Sequence, residues 1–336
     1  MRNYIIKRLL LSVVILFFVC FIIYVLMRCL PASYVENMAM QLSQKPGSKT
    51  YDEWLAQLNA QYHLDMHLIP GYFMQLWEML RGNFGDSWKF TAPVIDVFAG
   101  CIGVSFVMGA ISLVLQLIIA IPLGIIAATK QYSKADYAIS VFALAGISLP
   151  TFFFATLLKL VFSVKLGWFD LVGLTGRDFY QLDAFGQFLD MAHHLVLPVI
   201  TLTVISVGSL MRYTRTNMLE VLNADYIRTA RAKGLSEHKV IYHHAFRNTL
   251  IPLVTIVGGS LPGLFSGALI TETLFSIPGV GYTSYQAMVG GDIPLLHVLS
   301  DVPGDSDPAE QSDCGCALRG GGPPRAHCVT ERRATK

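Results

Sequence analysis

Two pairs of adjacent histidines are the residues of this chain whose type first suggests site chemistry. His193/His194 and His243/His244 could each offer imidazole nitrogens to a transition metal. Adjacent residues on a helix point in different directions, and the sequence places no third ligand at a suitable spacing from either pair. We therefore expect no metal site at these histidines.

Two further segments resemble sites by composition. Pro46-Gly-Ser-Lys-Thr is similar to part of a phosphate-binding loop, but it lacks the Gly-Lys-Thr ending and a preceding strand. A cysteine and histidine cluster lies near the end of the chain, at Cys314, Cys316, His327 and Cys328. Neither HExxH nor GxSxG occurs, so the sequence predicts no catalytic residue. We expect no cofactor on this chain.

A basic segment over residues 212–249 carries the most specific pattern. Its bases are Arg212, Arg215, Arg228, Arg231, Lys233, Lys239 and Arg247, against three acids. Asp225 is suited to the N-cap of a short helix over 226–233, Gly234 to its C′ position, and Ser236 to the cap of a following helix. The pattern predicts a helix–turn–helix with a basic face. Such a face can bind lipid headgroups, and its small residues also suit close contact with another protein.

Long apolar runs must position this segment. The chain of 336 residues is 53% hydrophobic and 14% charged, below the roughly 25% charged residues of soluble chains. Runs of about 20 apolar residues predict membrane helices at residues 9–27, 102–128, 137–164, 195–211 and 250–274. The first run is too long for a cleaved signal peptide, so residues 1–30 are predicted to be an anchor helix. Proline and glycine within later runs favour a packed bundle.

Loop charge predicts the orientation of these spans. The leader carries Arg2, Lys7 and Arg8 without an acid, and the basic segment lies between spans four and five. Residues 29–98 carry four bases and seven acids, and residues 166–192 carry one base and four acids. The positive-inside rule therefore places the N-terminus in the cytoplasm, and residues 31–94 form an external amphipathic segment.

An ordered series of motifs resembles the permeases of binding-protein-dependent ABC importers. Asp225-Tyr-Ile-Arg-Thr-Ala-Arg-Ala-Lys-Gly, followed by His244-Ala-Phe-Arg-Asn, is similar to the ATPase-coupling loop of that superfamily. Arg228, Thr229 and Ala230 stand where most members have Glu-Ala-Ala, a departure typical of the dipeptide and oligopeptide branch. The other motifs are Gly82-Asn-Phe-Gly-Asp-Ser, Leu149-Pro-Thr-Phe-Phe, His194-Leu-Val-Leu-Pro and Glu272-Thr-Leu-Phe-Ser-Ile-Pro-Gly-Val-Gly.

The resemblance implies an all-α polytopic bundle of the type I ABC importer fold, with its core over residues 95–299. The implied ATPase-coupling residues are Asp225, Arg228, Thr229, Ala230, Arg231, Lys233, Gly234, His244 and Arg247. Implied partners are a second homologous permease, nucleotide-binding ATPase subunits, an external solute-binding protein and membrane lipid, without nucleic acid. The implied location is the bacterial inner membrane, and the implied cargo is a dipeptide or oligopeptide. Nickel, glutathione or another small solute is the alternative cargo, and a membrane enzyme or channel the alternative class.

Glu272 is the one acid predicted at the edge of a span, where an ionisable group is a functional candidate. Together with Pro278 and Gly279 it could line the outer mouth of a pathway. Alternatively, span five ends near Ile270, and backbone amides satisfy the Glu272 carboxylate.

The chain changes character after Leu299. Residues 300–336 are rich in Gly, Pro, Asp, Arg and Cys, where the resemblance implies a sixth span. Back-translation with chosen codons shows that residues 301–328, read one nucleotide later, can encode an apolar span with a basic end. We therefore interpret residues 300–336 as a frameshifted tail that has replaced the sixth span, and the cysteine cluster as its by-product.

Overall fold

The chain is mainly helical in the part described in its computed structural model, which covers residues 2–29, 33–44, 49–61, 66–87, 89–290 and 292–300. The α-helices are α1 (Arg2–Cys29), α2 (Ser33–Ser43), α3 (Tyr51–Gln61), α4 (Leu68–Leu80), α5 (Val94–Thr129), α6 (Lys134–Ser148), α7 (Thr151–Leu158), α8 (Ala184–Leu222), α9 (Asp225–Ala232), α10 (Phe246–Ser260), α11 (Gly263–Ser266), α12 (Leu269–Phe275), α13 (Val280–Gly290) and α14 (Ile293–Ser300). Two π-helical segments, Lys159–Lys165 and Lys239–Ala245, extend α7 and precede α10. The expected all-α fold is confirmed within these ranges.

Three described helices are long and apolar enough to cross a membrane: Val94–Thr129, Ala184–Leu222 and Lys239–Ser266. A fourth crossing is counted if Lys134–Ser148 and Thr151–Lys165, bent by 101°, form one span. The bend corrects the prediction of a single helix over residues 137–164. Leu149 has extended dihedrals, φ −78° and ψ 124°, because a residue before proline is disfavoured in the α region.

The fifth predicted span, residues 250–274, is wrong at both ends. The helical stretch runs from Lys239 to Ser266, and the chain turns at Gly267 with φ +74°. That left-handed conformation suits glycine and separates α12 from the span. Glu272 therefore lies on a short separate helix.

Helix α8 lies at the centre of the bundle. Within its most apolar stretch of 18 residues, 61% is buried. Glycines set its distance from neighbouring helices. A Cβ on Gly124 of α5 would lie 2.6 Å from Thr214 Cβ of α8, and one on Gly208 of α8 would lie 2.5 Å from the Ala143 carbonyl oxygen of α6. Small residues permit such close approach between membrane helices.

The N-terminal region packs through aromatic side chains. The Tyr72 hydroxyl of α4 donates a hydrogen bond to the Phe17 carbonyl of α1 at 2.7 Å, and Cys20 and Tyr24 are buried beside it. Helices α2 and α3 form a separate small core. The predicted anchor over residues 1–30 is helical over Arg2–Cys29. The predicted frameshifted tail, from residue 301 onward, lies outside the described residues.

Candidate functional site

The predicted coupling segment contains a short helix, α9, that ends as the sequence indicates. Lys233 is the C-cap, and Gly234 follows with φ +76°, the left-handed conformation of a C′ glycine. Its start differs by one residue from the prediction. Ala224 occupies the N-cap with ψ 149°, and Asp225 is the first helical residue, where its charge still favours the helix N-terminus. Ser236 directly precedes the next helical residue, Glu237.

Helix α9 is fixed to the bundle by an apolar cluster. Its buried members are Ile125, Ala128, Met218, Ile227, Ala230, Val240 and Ala245, drawn from α5, α8, α9 and the π segment. Ala230 faces this cluster with 7% exposure, so its small side chain is used for packing within the chain. Bulk at position 230 would separate α9 from α8. The cluster packs α9 directly against the ends of α5 and α8.

The outward face of α9 is charged and exposed, but its bases differ in their pairing. Arg231 forms a two-pronged ion pair with Glu237, with Nε–Oε1 at 2.9 Å and Nη2–Oε2 at 3.3 Å. Arg228 lies 3.6 Å from Asp225, both highly exposed. Lys233 forms no ion pair within the described part of the chain. Arg231 therefore braces the turn around Gly234, whereas Lys233 remains available.

The return helix is attached to α9 by polar contacts. The Asn248 side-chain amide lies 3.3 Å from the Tyr226 hydroxyl and 3.0 Å from the His244 carbonyl. His244 is half-buried on the π segment, and Arg247 is exposed in the first turn of α10. These contacts connect Tyr226 of α9 to His244 through the Asn248 side chain.

A second polar site surrounds Glu272, which is fully buried. Its Oε1 accepts hydrogen bonds from the Ser105 hydroxyl at 2.8 Å and from the Ala268 N–H at 2.9 Å. Its Oε2 accepts from the Tyr282 N–H at 3.0 Å. Ser105 in turn accepts from the Val280 N–H at 2.8 Å. The carboxylate thus joins α5, α12 and α13, in agreement with the interpretation that backbone amides satisfy it.

Glycines allow the backbone to reach this carboxylate. A Cβ on Gly279 would lie 2.5 Å from both Glu272 Oε2 and Ser105 Oγ, and one on Gly281 would lie 2.6 Å from Leu269 Cα. Gly279 is buried and Pro278 is exposed. The Ile277-Pro-Gly-Val-Gly segment is therefore a tight turn held against Glu272.

Comparison with known proteins shows the family. Residues 120–301, more than half of the chain, match the family described as binding-protein-dependent transport system inner membrane component. The oligopeptide transport system permease protein AppB of Bacillus subtilis is 33% identical over 89% of this chain and 92% of its own. OppB of Haemophilus influenzae is 32% identical over 90% and 92%, and the di/tripeptide permease DppB of Pseudomonas aeruginosa is 34% identical over 88% and 90%.

The chain belongs to this family of transport permeases. It is therefore a multi-pass membrane transport subunit rather than an enzyme, and membership implies a separate ATPase and a substrate-binding protein as partners. A chain of the inward-facing methionine ABC transporter MetNI overlaps the permease with a TM-score of 0.47, at 15% identity over 67% of this chain and 95% of that chain. The family assignment rests on sequence and takes nothing from this overlap.

The structure also gathers residues that the motifs did not single out. Asp136 forms a two-pronged ion pair with Arg215 at 2.8 and 2.9 Å, which ties α6 to α8. Asp292 is fully buried and accepts from Ser87 at 2.5 Å. Asp136 directly precedes the long apolar run at residues 137–164, a signal that could have nominated it, whereas Asp292 lies beside only a short apolar stretch at residues 293–299. Their partners, Arg215 and Ser87, lie 79 and 205 residues away in the sequence, so the local sequence does not predict either contact.

The histidine pairs meet different surroundings. Asp170, 23 residues before His193 in the sequence, lies beside His193 and His194 in the folded chain, a proximity that sequence spacing did not indicate. His243 and His244, perpendicular rings with centroids 5.2 Å apart, belong to no such group among the described residues.

Proposed function

We propose that the permease forms half of the translocation pathway of an ATP-driven importer of dipeptides or oligopeptides. The observation that carries this proposal is the identity of at least 32% to peptide permeases along nearly the whole chain. An external solute-binding protein delivers the cargo, and the ATP is used by partner subunits. Accumulation of labelled di- and tripeptides by cells with and without this subunit tests the cargo. Unchanged peptide uptake in the deletion strain contradicts it.

We further propose that α9 is the surface on which the ATPase subunit acts. The apolar cluster beneath α9 supports this role, because a push on a helix packed against α5 and α8 is transmitted to both. The exposed residues Arg228, Thr229 and Lys233 face outward for contact. Charged residues at the rim of a protein interface determine the alignment and the choice of the partner more than they determine the binding affinity.

Cross-linking tests the docking surface directly. Thr229→Cys places a thiol on the exposed face, and Tyr180→Cys, on a residue 90% exposed outside the segment, is the matched control. A short bifunctional maleimide is expected to link the first variant, and not the second, to the ATPase subunit. Equal linkage of both variants would contradict the proposal.

The second permease subunit is proposed to pack against the helix Lys239–Ser266. Within the most apolar 18-residue stretch of this helix, only 11% is buried inside the chain, compared with 61% for the same length of α8. A Cβ on Gly258 would meet nothing within 4 Å, so another helix can approach closely there. Gly258→Cys is expected to cross-link to the second permease when both are co-expressed. Cross-linking of this cysteine to lipid probes alone would contradict the proposed interface.

A further inference from the structure

Two histidines and an aspartate meet at the start of the apolar part of α8. One ligand atom from each of Asp170, His193 and His194 lies within 4.8 Å of the other two. The tightest pair is His194 Nε2 and Asp170 Oδ2, which are 3.2 Å apart. Asp170 comes from the segment that follows the π-helical turn Lys159–Lys165, so the cluster joins two separate parts of the chain.

The hydrogen bonding of His194 fixes its tautomer. Its Nδ1 lies 2.8 Å from the Asp190 carbonyl oxygen, which can only accept, so Nδ1 carries a hydrogen. In the neutral ring, Nε2 then presents a lone pair. The side chain is 2% exposed, and Nε2 forms no hydrogen bond with any described residue. A buried lone pair therefore faces a carboxylate oxygen, which is also an acceptor.

Two acceptors at 3.2 Å repel unless a cation lies between them. That cation is either a proton on Nε2 or a metal ion. A proton needs only His194 and Asp170, whereas a metal needs a further ligand. His193 supplies one, because its ring is stacked on Phe169 with centroids 4.6 Å apart and is held beside the pair. The third convergent ligand favours the metal.

We propose that Asp170, His193 and His194 bind one divalent transition-metal ion of the zinc type. Imidazole and carboxylate are common zinc ligands, and bond lengths of about 2.0–2.2 Å require ligand atoms roughly 3.3 Å apart. The 3.2 Å between His194 Nε2 and Asp170 Oδ2 already matches this spacing, and the His193 ligand atom lies within 4.8 Å of both. Asp190 provides the second layer. Its carbonyl orients His194, and its Oδ2 accepts the Gly176 N–H at 2.7 Å. The Asp170 side chain is 60% exposed, so water can take the fourth position.

The ion would tie the segment around Asp170 to α8. Without it, the contact between His194 and Asp170 is repulsive in the neutral state of the ring. The bound ion replaces that repulsion with coordination bonds, so metal binding is coupled to the order of the segment.

Zinc binding to the full-length permease tests the proposal. The purified protein, carrying a tag without histidine, is alkylated so that its cysteines cannot bind metal. It is then depleted with EDTA and equilibrated with Zn²⁺. Asp170→Asn and His193→Gln are each expected to bind one zinc ion fewer than wild type. His243→Gln, an exposed histidine of the other adjacent pair, is the matched control and is expected to bind as many as wild type.

Thermal unfolding provides a second measurement, because a ligand that binds the native state raises the midpoint. Zn²⁺ is expected to raise the midpoint of wild type and His243→Gln but not of Asp170→Asn. Equal zinc content in wild type, Asp170→Asn and His193→Gln would overturn the proposal and assign the contact to a protonated His194. A zinc-dependent midpoint that is unchanged by Asp170→Asn would overturn it as well.

Discussion

At the scale of single residues, the buried acids of this permease act as structural junctions. Glu272 accepts three hydrogen bonds from three separate parts of the chain, and Asp292 joins residues that are 205 positions apart. An acid in such a position would be costly without donors. Its donors here are mainly backbone N–H groups, whose directions are set by the turns that Gly267 and Gly279 allow.

Replacing Glu272 by glutamine should destabilise the permease by about 1–3 kcal/mol, the cost of leaving a buried donor without its acceptor. One side of the amide carries hydrogens and would oppose either the Tyr282 N–H or the Ala268 N–H. Thermal unfolding in detergent measures the effect. Glu237→Gln, on an exposed acid, is the matched control and should change stability little. Equal midpoints for both variants would show that the junction contributes nothing to stability.

At the scale of elements, the coupling segment is a rigid attachment rather than a loop. Helix α8 has 39 residues, about 58 Å at 1.5 Å per residue, whereas the hydrocarbon core is about 30 Å thick. The helix therefore extends well beyond the membrane, and α9 packs against that extension through Met218 and Ile227. The ion pair between Asp136 of α6 and Arg215 of α8 braces the same end.

Two substitutions at Gly234 should distinguish the effect of backbone strain on uptake from the effect of blocked docking. A Cβ at this position meets nothing within 4 Å inside the chain, although φ +76° costs an alanine roughly 1–2 kcal/mol. Gly234→Ala should therefore leave a folded permease with reduced uptake. Gly234→Glu should abolish uptake at an equal level in the membrane, because its bulk would block the proposed docking of the ATPase subunit.

Peptide uptake, normalised to membrane-inserted protein, is the measurement for both variants. Gly82→Ala is the control, since Gly82 also has positive φ and open space but lies outside the segment. Normal uptake by Gly234→Glu would contradict the coupling role.

At the scale of the whole molecule, the predicted orientation places α9 in the cytoplasm and residues 166–192 outside. With the native cysteines replaced by serine, Tyr180→Cys should react with an impermeant maleimide in intact cells, and Ser236→Cys only after permeabilisation. Both positions are exposed, so burial does not confound the comparison. Labelling of Ser236→Cys in intact cells would contradict the predicted orientation and indicate the opposite one.

The tail is also a prediction about the whole molecule. The family match ends at residue 301, directly after α14. From residue 301 onward the chain carries Asp301, Asp305, Asp307, Glu310 and Asp313, each of which would cost roughly 2.5–3.5 kcal/mol near the centre of a span. A frame shifted by one nucleotide should restore an apolar span, a cytoplasmic C-terminus and full uptake. Sequencing the gene across codon 300 decides it, because nucleotides that give no apolar reading in a shifted frame would refute the interpretation.

The sequence by itself determined the class of this protein, because membrane insertion and helix termination are local. Apolar length predicted the spans, and Gly234 with its neighbours predicted α9. The ordered motifs predicted the family. The predicted helix boundaries were wrong where a single residue interrupts an apolar run. Pro150 breaks the helix predicted over residues 137–164, and Gly267 ends a helix although the apolar sequence continues after it.

Only the tertiary structure decided which side chains meet. Ser105 and Glu272 are 167 residues apart, and nothing in the local sequence of either indicates the other. Asp170 reaches His194 because the segment after the bend at Pro150 folds back onto α8. Ala230 faces inward because α9 packs on Met218 and Val240. Such contacts depend on how helices cross, which follows from side-chain packing across the whole bundle.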